Sequence, residues 1–373
     1  MSLSFRPPLF LLSALGWLLL SSLLGLGLLL AGIQGRAVPT ELRIAHVHSA
    51  LIGGVAQMIL GAMLAFIPAL LMTGRDTSNS HPVLYLAINV GTLGMLVGFW
   101  LTQSYVVGGF GLLVVLAFLS LLGRGIQETR SSLIAPPLNL WFYGVALLLL
   151  LIGLGLGEAI AWELVSQWQV AKARMAHIHL NLIGFVILTI VGTMHNLFPT
   201  ILESRLHSPR LARLVFFILP AGVLVLVAGF VLAHLYVQIA GGILLLLGTS
   251  LYAYNMTRTW MDAGRPTTTA ANHLMMATVF LLLAVIAGIL VSVNALWDPP
   301  AIPFGTLHLM AYTHLALVGF VLQTILGALT HLLPVILAVA RVKANKKRGP
   351  YFESLTALME RWQPVQVGAF NLG

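Results

Sequence analysis

The sequence predicts an all-α polytopic membrane protein: about ten transmembrane helices in pseudo-threefold, four-helix repeats. Three observations predict it. Hydrophobic residues make up 59% of the 373 positions and charged residues only 8%, against about 25% charged in soluble domains. The apolar runs are each long enough, or nearly so, to cross a bilayer. A pattern of His, Gly and Pro recurs three times at fixed offsets.

Taken in order, the spans are expected at 7–33, 44–72, 82–102, 107–123, 138–160, 175–202, 212–234, 237–256, 272–294 and 306–340. Several exceed the ~20 residues a bilayer needs, which implies tilt or protrusion. The run at 107–123 is the shortest. The first run, Pro7 to Ile33, has no A-x-A site closing a short apolar core, which argues against a removable signal peptide. Cysteine is absent, so disulfides, thiolate metal sites, iron–sulfur clusters and covalent haem attachment are excluded. Net charge is +9, but the basic residues sit in loops rather than in a patch with interleaved aromatics, so membrane orientation explains them better than nucleic acid does.

With the N-terminus inside, only Arg36, Arg43, Lys172 and Arg174 of the 19 lysines and arginines fall on the outer side. That bias places both termini in the cytoplasm of a bacterial-type inner membrane. Residues 1–340 read as a single transmembrane domain. The tail 341–373 carries Arg341, Lys343, Lys346, Lys347 and Arg348, turns mildly amphipathic, and is expected along the inner surface.

The recurrence has its centre at Lys172 to Pro199, K-A-R-M-A-H-I-H-L-N-L-I-G-F-V-I-L-T-I-V-G-T-M-H-N-L-F-P. His48, His179 and His314 correspond, with offsets 179 − 48 = 131 and 314 − 179 = 135. Gly53, Gly184 and Gly319 follow in register, as do Pro68, Pro199 and Pro334. A period this long is a multi-helix unit. The repeats run over about 1–130, 131–262 and a truncated 263–340, the third holding two spans only.

Histidines inside spans are costly and point to a protein interior or a site. His46 and His48, and His177 and His179, form His-x-His pairs at the outer ends of the second and sixth spans; Tyr312 replaces the first His in the third copy, and His308 lies nearby. Residues i and i+2 of a helix point about 200° apart, so one His of each pair faces each neighbouring helix. Imidazoles approaching from two helices are what a low-spin b-type haem requires; imidazole also suits copper and zinc. Arg43 and Arg174, one turn outward, suit a propionate. His195 and His331 lie roughly 25 Å further along their helices, an inner layer apart from the outer sites. Each histidine also has a plainer reading, as a hydrogen-bonded residue of a helix interface.

The R-x-x-H-x-H stretch at Arg43–His48 and the A-H-I-H-x-x-x-x-G stretch at Ala176–Gly184 resemble the haem–copper oxidase subunit I superfamily, its cbb3-type and nitric oxide reductase branches above all. That resemblance implies a twelve-helix scaffold in three arcs, here with the last two helices missing. It implies His46 or His48 as the second-helix ligand of a low-spin haem, and His314 as the tenth-helix ligand by repeat position. It does not imply an oxygen-reducing centre, because the seventh span has only His234 and no H-P-E-V-Y-like stretch occurs.

The expectation is therefore a membrane electron-transfer or redox subunit binding one or two b-type haems and working beside other membrane or redox subunits. It is expected to be an oxidoreductase component rather than a competent terminal oxidase. The alternative is a copper, zinc or haem handling protein, or a transporter.

Overall fold

The structure is a computed structural model that describes residues 6–73, 81–298, 306–342 and 345–372. Among the described residues ten helices are long and apolar enough to cross a membrane, and no strand occurs. They are α1 (Pro7–Ile33), α2 (Thr40–Leu70), α3 (Pro82–Trp100), α4 (Ser104–Ser131), α5 (Leu138–Ala161), α6 (Val170–Ile201), α7 (Pro209–Val231), α8 (Leu235–Asp262), α9 (Thr269–Asn294) and α10 (His308–Val339). Two shorter helices follow, α11 (Asn345–Glu360) and α12 (Gln363–Leu372). Lys343 lies outside the described residues.

The expected spans and the helices agree closely, with one clear difference. The 107–123 run is part of a 28-residue helix, α4. The apolar run ends at Arg124, but Arg, Gln and Glu are good helix formers, so the helix continues to Ser131 with Ile126 as its one large apolar residue.

The chain forms two compact units, Met1–Thr189 and Ile190–Gly373. In the first, α1 lies along α2, α3 and α4 form a hairpin, and α5 joins α4 to the N-terminal half of α6. Polar side chains on one stripe of α1 tie it down. Ser13 bonds Tyr85 at 2.6 Å, Trp17 Nε1 donates to Asn89 at 2.9 Å, and Ser21 Oγ donates to the His46 carbonyl at 2.9 Å. In the second, α7 and α8 form a hairpin, α9 lies between α8 and α10, and α11 and α12 fold back onto α10 and α9. Glu360 accepts both the Thr269 amide at 3.0 Å and its hydroxyl at 2.7 Å, capping α9.

The two hairpins share their close contacts. A Cβ at Gly91 would lie 2.9 Å from Val114, and one at Gly222 would lie 3.0 Å from Leu245. The same holds for Gly98 on Val107 and Gly229 on Gln238. Each glycine and each partner is displaced by 131 residues, as in 222 − 91 and 245 − 114.

The helix ends behave alike. Met72, Thr102, Glu203 and Ala233 are non-glycine residues at φ between 49° and 55°, just beyond α2, α3, α6 and α7. That conformation costs about 1–2 kcal/mol. It is offset by amide bonds that close the helix ends: Thr73 to Pro68 at 3.2 Å, Gln103 to Gly98 at 2.9 Å, Ser204 to Pro199 at 2.9 Å and His234 to Gly229 at 2.9 Å. In α10 helical structure continues from Pro334 to Arg341.

Candidate functional site

In α2, α6 and α10 the residue after the aligned histidine begins an eight-residue π-helical segment: Ser49–Ala56, Leu180–Ile187 and Leu315–Leu322. The starts are separated by 180 − 49 = 131 and 315 − 180 = 135 residues, the same offsets as the histidines. π-Turns are rare and gather at functional positions. Each widens the helix at the point where a recurring glycine lets a neighbour close in: a Cβ at Gly53 would lie 2.5 Å from the Trp17 ring, and one at Gly319 2.6 Å from Phe280.

The second histidine of each pair bonds within its own helix. His48 Nδ1 lies 2.9 Å from the Ile44 carbonyl, His179 Nδ1 2.8 Å from Met175, and His314 Nδ1 2.7 Å from Met310. The first histidine reaches across to the preceding helix. His46 Nδ1 lies 2.8 Å from the Ser21 carbonyl of α1, and His177 Nδ1 lies 2.7 Å from the Gly153 carbonyl of α5. A carbonyl oxygen only accepts, so Nδ1 carries the proton in all five rings and Nε2 carries the lone pair.

Glycines make room for the two crossing rings. A Cβ at Gly25 would lie 2.7 Å from His46 Cε1, and one at Gly157 2.8 Å from His177 Cε1. The G-L-G-L-G run at 153–157 thus supplies both an acceptor and a seat. Ser21, Gly25 and Asn181 were not singled out by the sequence reading. The signal for Ser21 and Gly25 is a small residue on α1 facing the first histidine; Asn181 lies on α6 itself, one turn beyond His177.

Two of the candidates come into electrostatic range across helices: a charge on His177 of α6 is felt at His48 of α2. His48 also lies against Phe99 of α3, ring centroids 4.7 Å apart. His179 is buried, whereas His314 is exposed. Tyr312 takes the place of the crossing histidine, its ring against Gly288, where a Cβ would lie 3.2 Å away. His308 is exposed at the start of α10.

Arg43 and Arg174 are both exposed near the starts of α2 and α6, and Arg43 Nη2 donates to the Val38 carbonyl at 3.4 Å. His195 is buried with its ring edge-on to Tyr252 at 5.6 Å. His331 is half-buried and feels the charge of Glu203. Among the described residues no three His, Cys, Asp or Glu side chains gather as a metal-holding group.

No protein-family model matches this chain. A protein of Aquifex aeolicus (strain VF5), described as uncharacterized, is 33% identical over 195 residues. That likeness covers 52% of this chain and 48% of the relative, so the chain spans about half the length of the protein it matches.

Proposed function

We propose that the chain is a membrane electron-transfer or redox subunit that holds b-type haem through paired imidazoles, related to the subunit I scaffold of haem–copper oxidases. The observation that carries this reading is the common state of the five rings: Nδ1 given to a carbonyl, Nε2 left as the donor nitrogen. Fixing Nδ1 in this way sets tautomer and orientation of a ligating histidine and raises its basicity. The donor set fits haem, which needs two opposed imidazoles and no third side chain.

His48 of α2 and His177 of α6 would form the pair, His177 being the imidazole whose charge acts on His48. His46 then acts as a clasp between α1 and α2. A bound haem would supply one-electron chemistry. The chain's own part is to orient the imidazoles, to exclude water with apolar helices, and to present Arg43 and Arg174 to propionate charge. The exposed placement of both arginines suits that role.

The recurrence of π-segments, left-handed helix ends and glycine contacts at the histidine offsets supports a repeated four-helix unit of the kind that scaffold uses. The loop charges support cytoplasmic termini in a bacterial-type inner membrane, and partner subunits would carry electrons to or from the haem. An oxidised-minus-reduced visible spectrum with metal analysis on the same detergent-purified sample tests the reading. Stoichiometric copper or zinc without haem would replace it with the metal-handling alternative.

A further inference from the structure

Asn181 stands one turn beyond His177, inside the π-segment Leu180–Ile187 of α6. Its amide nitrogen lies 3.2 Å from His177 Nδ1 and 3.4 Å from Nε2. Those two nitrogens flank Cε1, so an in-plane donor nearly equidistant from both would collide with that carbon. The amide must lie over the ring face, where an N–H points at the π cloud. The Nδ1 proton is already committed to Gly153 at 2.7 Å, and the in-plane lone pair of Nε2 is left clear.

The ring is thus held by three contacts of different kinds: an edge bond to Gly153, the Gly157 seat, and the amide over its face. The Asn181 carbonyl oxygen is buried with no hydrogen-bond partner and is the nearest atom to the place a Cβ on Gly153 would take. An unpaired buried amide oxygen is destabilising, which argues that the side chain is there for something other than stability. The aligned positions in the other two copies are Ala50 and Ala316, since 181 − 50 = 131 and 316 − 181 = 135. Only the second copy has the amide; in the first, His46 is met by the Ser21 hydroxyl at 3.0 Å instead.

We propose that Asn181 is a positioning residue that fixes the ring plane of His177, and with it the orientation in which that imidazole would be offered to a haem. This inference rests on the paired-imidazole reading above. That orientation would set the ligand field of a low-spin ferric haem, so Asn181 would tune the site without touching the iron.

The test is Asn181→Ala, the residue both aligned positions carry and therefore one this helix packing tolerates. Two readouts separate the claims. On haem-free protein with 15N-labelled histidine, the His177 ring resonances are expected to shift and broaden in the variant while those of His46 stay put. On the ferric holoprotein, the largest electron paramagnetic resonance g-value is expected to move at unchanged haem content. Unchanged His177 resonances would overturn the role of Asn181 even if haem is present. Moved resonances in a wild-type protein that takes up no haem would keep the positioning role and sink the haem reading alone.

Discussion

The Nδ1–H of His177 meets the Gly153 carbonyl oxygen across 2.7 Å, joining α6 to α5. His46 makes the same bond to Ser21, joining α2 to α1. Each first histidine of a pair therefore clasps two helices through Nδ1, whereas the second bonds within its own helix.

The seats of these rings are size-limited. Gly25→Val and Gly157→Val force the imidazoles off their carbonyls and are expected to cost about 1–3 kcal/mol as overpacking. Gly27→Ala and Gly155→Ala meet open space and should leave thermal stability in detergent unchanged or slightly raised. Equal loss in all four would mean the seats are not what limits these positions.

The two hairpins should respond alike. A Cβ at Gly98 would lie 2.8 Å from the Val107 backbone nitrogen, and one at Gly229 2.6 Å from that of Gln238. Backbone cannot swing aside, so Gly98→Ala and Gly229→Ala should each lower the melting temperature by a similar amount. Gly109→Ala and Gly144→Ala, which meet nothing, are the controls.

His81 precedes α3 and lies outside the span. Burial, with a smaller contribution from the Arg124 charge, lowers its pKa from the usual value near 6.5. The unfolded chain then binds the proton more readily than the folded one, so His81 contributes stability above that value and loses it as pH falls below. Melting temperatures between pH 8 and 5 should fall less steeply in His81→Gln. Parallel curves for the two proteins would exclude His81 as the titrating group.

Glu360 closes the first turn of α9 from α11. Glu360→Ala is expected to cost about 1 kcal/mol, the usual worth of a cap. Amide hydrogen exchange at 269–273 should quicken, and Glu360→Gln, which keeps an acceptor, should exchange more slowly than Glu360→Ala.

Much of this was legible in the residues. Apolar length fixed the spans because a lipid-facing helix must be continuously apolar, and α4 was cut short only where Arg124 ends the apolar run but not the helix. The His-x-His pairs and the 131 and 135 offsets are visible in the letters themselves. The i, i+2 rule matches the first pair, where His46 meets Ser21 of α1 and His48 meets Phe99 of α3. What the letters hide is backbone. A π-segment leaves no compositional mark, left-handed Met72 and Glu203 look like ordinary residues, and the partners of His46 and His177 are carbonyl oxygens that every residue carries. Asn181 drew no notice for a related reason: its role depends on lying over a ring, a matter of one turn of helical phase.

The most direct measurement is the oxidised-minus-reduced visible spectrum of the purified protein, alone and with His48→Ala, His177→Ala and His81→Gln. The account predicts a sharp low-spin b-type difference signal, lost in the first two variants and intact in the third. A wild-type protein without that signal, or a signal that survives both His48→Ala and His177→Ala, would contradict it.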